Sequence, residues 1–302
     1  ICGISEAELL RCFQPELQAL AEKRKMTADE AFAEMKKRYD GYHFAKESED
    51  MYNPFSVLNT FASRDFADYW FKTGTPTFLA KMIVNSNFDI RSFIDNITIA
   101  TRSIDDYRVG ESSLVPLMYQ SGYLTIKSYD PEYDEFLLGF PNEEVKYGFL
   151  NELLPVYAPE AGLDTSFSAS RFVKALVRGD TEGFMTQLTA FFASIPYDAV
   201  RQARCDEQHY QYTFWLLFTL MGQFVQTEVK SAKGRADAVV KTADAIYVFE
   251  FKMDDSATAE DALRQIDDKG YLIPYTSDGR RTVKVGVEFS VAERGVKRWM
   301  EK

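Results

Sequence analysis

Histidine is nearly absent from these 302 residues: His43 and His209 are the only two, and cysteine is limited to Cys2, Cys12 and Cys205. A histidine-based zinc site or a Ser-His triad has little material, and three thiols without metal-ligand spacing point to reduced cysteines in a cytoplasmic protein. No apolar run approaches the ~18 residues of a membrane span, and no signal peptide, internal repeat or low-complexity tract is legible. The G-x-x-x-x-G-K-[ST] phosphate loop is missing too, so the chain is not expected to hydrolyse ATP by itself. Positive charge is also scarce, with 35 Lys and Arg against 46 Asp and Glu, a net charge of −11. Residues 201–302 carry 16 of each sign, which leaves 19 basic against 30 acidic in the first 200. Acidic helices repel nucleic acid, so only the C-terminal third is electrically suited to meet it.

What is present is core material: 46% hydrophobic and 15% aromatic residues, enough for two or three domains. Ser5–Arg24 and Thr27–Tyr39 read as helices, the second opened by the capping box Thr27-x-x-Glu30, with more helices to about Ile83. Ser112–Gln120, Tyr123–Lys127, Phe136–Phe140 and Glu143–Tyr157 read as helix, hairpin and helix around the turn Asp130-Pro131-Glu132, which is similar to a winged helix. Its last helix sets Glu143, Glu144 and Glu152 against Lys146, which favours a structural or protein-contact role over DNA binding. His43 lies in a turn and reads as structural.

The C-terminal third carries the chemistry. Glu207–Val225 reads as a buried helix, with Phe214, Phe218 and Met221 on one stripe and Leu216 and Leu220 on another. Gln226–Ser231 is a first strand, and Ala236–Thr242 and Ala245–Met253 form a hairpin. A helix capped at Ser256 or Thr258 follows, bearing Ala262, Leu263, Gln265 and Ile266, and then a strand over Thr282–Ser290. With Ala243-Asp244 as the hairpin loop, Asp237 lies directly opposite Glu250, while Glu250 and Lys252 share a face. Two carboxylates and an ammonium therefore converge. Unpaired carboxylates side by side are costly, and a divalent cation removes that cost; hard oxygen ligands suit Mg²⁺ or Mn²⁺. Asp237 and Glu250 are the candidate metal ligands, and Lys252 would hold a water or neutralise charge on a phosphate. The same spacing suits a cross-strand ion pair on an exposed sheet face, and spacing alone favours that simpler reading. Glu-x-Lys also recurs at Glu34/Lys36, Glu144/Lys146 and Glu228/Lys230, but only Glu250/Lys252 lies in a strongly apolar strand after an acid on a paired strand.

Three runs carry a resemblance: Lys233-Gly234-Arg235-Ala236-Asp237, Ile246–Lys252, and Ala262-Leu263-Arg264-Gln265-Ile266 followed by Lys269-Gly270-Tyr271. Residues 201–302 resemble the PD-(D/E)xK nuclease-like domain of a bacterial AAA-ATPase-like family. The resemblance implies a restriction-endonuclease-like α/β core of order αβββαβ, with Asp237 and Glu250 as metal ligands, Lys252 and Gln265 as catalytic residues, and Glu207 as the first-helix acid. Glu228 is a rival for that last role: with Ala232-Lys233 as a loop it would sit opposite Asp237. The expected partner is nucleic acid, DNA ahead of RNA, with Lys230, Lys233, Arg235, Arg264, Lys269, Arg280 and Arg281 as candidate phosphate contacts or a solvated basic rim. Ala236 stands where restriction enzymes have a proline, which does no chemistry.

Ile1–Ser5, Tyr39–Phe44, Asn53–Ser56, Tyr69–Phe71 and Thr73–Pro76 resemble the C-terminal part of the AAA-ATPase-like region of the same family. The chain starts at Ile1 rather than Met, and the resemblance implies a fragment whose ATPase core, and with it ATP, belongs to a preceding region in cis. Asn53–Phe55 and Gly74–Pro76 would be lid or interface features of that core, or simply caps and turns. The expected organisation is α+β and multidomain: helical over 1–105, winged-helix-like over 106–200 and nuclease-like over 201–302. An enzyme that cuts phosphodiesters and a fold that only binds or scaffolds are both compatible with this sequence.

Overall fold

The computed structural model describes residues 3–70, 77–86, 88–104, 114–158, 169–195, 207–229, 236–253, 257–290, 293 and 295–302. The chain mixes helices and sheets in two compact units, Ile1–Glu152 and Leu153–Lys302. The segment expected to be helical, 1–105, falls in the first unit, and the nuclease-like segment 201–302 falls in the second.

The first unit opens with α1 (Glu6–Cys12), α2 (Gln14–Arg24) and α3 (Ala28–Tyr39). The single helix expected over Ser5–Arg24 is in fact two, parted at Phe13, because Pro15 lacks an amide donor and fits only the first turn of a new helix. Thr27 caps α3 as the sequence indicates: the Glu30 carboxylate accepts from the Thr27 amide at 2.7 Å, and the Glu30 amide donates to Thr27 Oγ1 at 3.2 Å. Leu9, Leu20, Met35, Tyr39, Tyr52 and Val57 form the buried core of these helices. In α4 (Pro54–Ser63) Asn53 is the N-cap, accepting from the Phe55 and Ser56 amides. Asn53-Pro54 is thus a helix-start device; Gly74–Pro76 lies outside the described residues.

After α5 (Thr77–Asn85) and α6 (Ser92–Asp95), the strand β1 (Ile97–Ala100) precedes α7 (Leu114–Gln120) and the hairpin of β2 (Thr125–Asp130) and β3 (Glu135–Gly139). Asp130 Oδ1 accepts from the Glu132 and Tyr133 amides and closes the hairpin turn. β1 adds antiparallel to β3, giving the order β1-β3-β2, a third strand that its four residues do not announce. Then follows α8 (Glu143–Tyr157).

In the second unit, α9 (Ala169–Val177), α10 (Thr181–Ala193) and α11 (Glu207–Met221) precede a five-stranded sheet. Its strands are β4 (Gln226–Val229), β5 (Ala238–Lys241), β6 (Ala245–Met253), β7 (Arg281–Ser290) and β8 (Gly295–Glu301), in spatial order β4-β5-β6-β7-β8, and α12 (Ala259–Asp268) connects β6 to β7. The β6–β7 pair is parallel and the others are antiparallel. This is the expected αβββαβ order with one added edge strand. β6 is central and its first six residues are buried, so it is nearly continuous in apolar residues, as a strand covered on both faces must be. On one face Phe249 and Phe251 pack against Phe218 and Phe214 of α11, with ring centroids 5.1 and 3.9 Å apart. On the other, Ile246 and Val248 pack with Val239 against Leu263 and Ile266 of α12.

Candidate active site

The second of these faces carries the charged residues. Ala238 pairs with Phe249, so Asp237, one residue before β5, stands beside Glu250 in the same register, and its Oδ2 accepts from the Phe251 amide at 2.9 Å. The expected hairpin and its pairing are therefore as read from the sequence. Glu250 is 1% exposed. Its Oε1 accepts from Lys252 Nζ at 3.0 Å and from the side-chain amide of Gln265, while Gln265 Oε1 accepts from Lys252 Nζ at 2.7 Å. The three side chains close a triangle in which one amide uses both its ends. That closure matters because a carboxylate so deeply buried costs several kcal/mol, on the order of its effective desolvation penalty, unless it is paired and hydrogen-bonded. The simple alternative, an ion pair on an exposed sheet face, does not describe it: the acid lies beneath α12.

α12 is placed by its own sequence. Thr258 caps it, accepting from the Asp261 amide at 3.3 Å while Asp261 accepts from the Thr258 amide at 3.0 Å. Ala259, Ala262 and Ile266 are buried, and Gln265, next to Ile266, reaches the edge of that face. The Tyr271 hydroxyl lies 3.4 Å from the Gln265 amide nitrogen, a flank that the sequence reading did not assign.

Two expected participants fare differently. Glu207 is the first residue of α11, but its side chain lies outside the described residues; Phe214 and Phe218 seat this helix on the face opposite Glu250. Glu228 does not sit opposite Asp237. It pairs with Val239 and its carboxylate meets Lys241, because the β4–β5 register lies two residues from the one a two-residue loop at Ala232-Lys233 would set. Of the candidate phosphate contacts, Arg264 is paired with Asp261 and Arg280 with Asp278, which reduces their net charge toward a ligand. Lys230, Lys233 and Arg235 lie outside the described residues.

The strand expected over Thr282–Ser290 is β7, but two of its residues, Gly286 and Glu288, were not singled out from the sequence. Gly286 stands in register with Glu250, and Glu288 with Lys252. A Cβ on Gly286 would meet the Ala259 carbonyl oxygen at 2.4 Å and Leu263 Cγ at 3.0 Å. The bare backbone is what lets α12 lie close over the acid. Gly286→Ala is expected to lower stability by about 1–3 kcal/mol through overpacking against backbone, read as a shifted urea midpoint of the second unit.

Strong pKa displacement occurs in the first unit. Burial raises Glu144 to about 7, opposed by hydrogen bonds from the Ser56 hydroxyl at 2.7 Å and the Trp70 amide at 2.8 Å. The glutamate counted among the acidic residues of α8 is thus an internal strut rather than part of a solvated face. The folded state holds this proton to higher pH than the unfolded chain, whose glutamate titrates near 4.3. Its stabilisation is full below that value and is lost as pH rises through about 7. Urea midpoints measured between pH 5 and 8 should fall for the parent chain and flatten in Glu144→Gln, a difference on the order of 2–3 kcal/mol.

Among the described residues, no cluster of three or more His, Cys, Asp or Glu side chains is placed to hold a metal ion, and no helix is long and apolar enough to cross a membrane. Residues 205–299 match the family described as the PD-(D/E)XK nuclease superfamily, which assigns that stretch to a domain of this kind. Over 304 residues the chain is 34% identical to a protein of Azotobacter chroococcum mcd 1 described as an uncharacterized protein in the vnfD 5' region, an alignment that covers 98% of this chain and 55% of that protein. The chain spans about half the length of this curated relative. No solved structure matches it.

Proposed function

We propose that the second unit is a nuclease module that hydrolyses phosphodiester bonds with Mg²⁺ or Mn²⁺, held by Asp237 and Glu250, and that it works under a nucleotide-hydrolysing region elsewhere in a longer protein. The observation that carries this reading is the closed contact of Glu250, Lys252 and Gln265 beside Asp237. A binding or scaffolding sheet has no need to sink a carboxylate, a lysine and a glutamine together under a helix. The donor set fits the cation, since two neighbouring hard oxygen groups suit Mg²⁺ and leave its other positions to water and phosphate. When bound, such an ion lowers the pKa of a coordinated water and withdraws charge from the phosphate.

The side chains supply the rest. One oxygen of Asp237 is fixed by the Phe251 amide, which orients the carboxylate. Glu250 and Gln265 hold the Lys252 ammonium in one place, where it orients the attacking water and offsets the charge gathering on the phosphoryl oxygens. Gln265 bonds both members of the Glu250–Lys252 ion pair and so fixes its orientation. DNA is the substrate proposed ahead of RNA.

A second reading is a nuclease fold that binds without cutting; the intramolecular pairing of Arg264 and Arg280 weighs against it, because it lowers the charge offered to phosphates. The test is a panel of labelled DNA and RNA incubated with Mg²⁺ or Mn²⁺, comparing the parent chain with Asp237→Ala. Cutting that requires both metal and Asp237 supports the nuclease; tight binding without cutting supports the second reading.

A further inference from the structure

The geometry points to Glu288 as a positioning residue that seats α12 and thereby places Gln265 on Glu250 and Lys252, an inference that rests on the nuclease reading above. Three successive residues on the site-facing side of β7 hold this helix. Lys284, near one end, is ion-paired with Asp267 in the last turn of α12. Gly286, in the middle, leaves the space that Ala259 and Leu263 occupy. Glu288, at the other end, is 5% exposed; its Oε2 accepts from the Ala259 amide at 3.4 Å and its Oε1 from Lys297 Nζ at 2.8 Å.

Each contact has a physical reason. Ala259 is the first residue of α12, so its amide is one of the donors that the helix itself leaves unpaired, and a carboxylate there also meets the positive end of the helix dipole. A residue at 288 without a side-chain acceptor would strand that amide in a dry place. Lys297 on the neighbouring strand pairs with the Glu288 carboxylate and compensates its charge beneath the helix. Glu288 also stands in register with Lys252 on the parallel strand, so the grip on the helix and the group that the helix serves share one cross-strand pair. The reach of Gln265 is short and uses both ends of its amide, so a small tilt of α12 about its Lys284–Asp267 end separates it from Lys252 or from Glu250. Loss of an outer support of this kind usually costs about ten- to a hundredfold in activity.

The experiment compares the parent with Glu288→Gln, Glu288→Ala and Lys297→Ala in two measurements. One is the rate of cutting of the labelled nucleic acid with Mn²⁺, resolved into kcat and KM. The other, which needs no activity, is the side-chain amide resonance of Gln265, assigned by its disappearance in Gln265→Ala. Glu288→Ala is expected to lower kcat about ten- to a hundredfold with KM little changed, and to move the Gln265 resonance to the position of a solvent-exposed amide. Glu288→Gln, which keeps an acceptor for the Ala259 amide, should restore much of both, and Lys297→Ala, which removes the counter-charge of Glu288, should move both in the direction of Glu288→Ala but less far. If the alanine variant does not fold, the glutamine variant decides, since a partial shift of the resonance is still expected. An unmoved Gln265 resonance in the folded variants overturns the assignment. A parent chain that does not cut overturns the nuclease reading instead, and the resonance still tests the seat.

Discussion

Asp237→Ala is expected to fold as the parent chain does and to lose phosphodiester cleavage by on the order of a thousandfold. The two halves of that result have separate causes. Asp237 is only partly buried, stands just before β5, and gives its Oδ2 to the Phe251 amide. Losing one such bond costs about 1 kcal/mol, small against the stability of a domain. Its carboxylate is nevertheless one of the two neighbouring oxygen groups proposed to hold the metal, and an ion held by the other alone would bind weakly and without fixed orientation. Initial rates on labelled DNA, set beside thermal unfolding of the same preparations, read both effects. Parent-like cutting by Asp237→Ala would remove the acid pair from the reaction.

Lys252→Ala should behave in the opposite way, losing stability as well as activity. Glu250 is 1% exposed and its Oε1 rests on the Lys252 ammonium and the Gln265 amide. Without the ammonium a buried charge loses its counter-charge, and breaking a pair of this kind costs about 3–5 kcal/mol. Glu250→Gln introduced into the Lys252→Ala chain should recover much of that loss, because a neutral amide needs no counter-ion. The double-mutant cycle in urea should therefore show strong coupling, while cutting stays abolished in every variant. Mn²⁺ should raise the midpoint of Lys252→Ala more than that of the parent, since there the ion replaces the missing charge. Additive urea midpoints would mean that the two side chains do not support each other. Lys252→Arg should rescue poorly, for a planar guanidinium cannot occupy the place of a compact ammonium held by both Glu250 and Gln265.

The hairpin and its convergence of Asp237, Glu250 and Lys252 were legible because local signals agreed. Val, Ile, Tyr and Phe alternate around a two-residue polar break at Ala243-Asp244, so the pairing of Ala238 with Phe249 follows from counting. The cap at Thr258 and the spacing of Ala262 and Ile266 mark α12, whereas the place of Gln265 in the site came from the resemblance and not from spacing. What escaped was set by distant partners. The β4–β5 register depends on the connection through residues 230–235, and a slip of two residues preserves every facing, so periodicity could not choose between the alternatives. Gly286 and Glu288 lie in a strand buried over most of its length, where a glycine and an acid look like interruptions. Their meaning comes from α12, which the sequence places before β7 but not upon it. Pro15, by contrast, was a readable break that the long apolar pattern of Ser5–Arg24 obscured.

The parallel pairing of β6 with β7 also sets an order of events. Antiparallel neighbours can meet as soon as a short turn is made, whereas a parallel partner must wait for the whole crossover. During synthesis Asp237 and Glu250 therefore come together early, on a hairpin that has left the ribosome, while the strand bearing Gly286 and Glu288 is still to emerge. Until then α12 has no seat and Gln265 no fixed reach. A nascent chain would thus carry the two acids before the strand that seats α12, and any chemistry of the proposed site would wait until the strand ending at Ser290 has emerged and paired with β6.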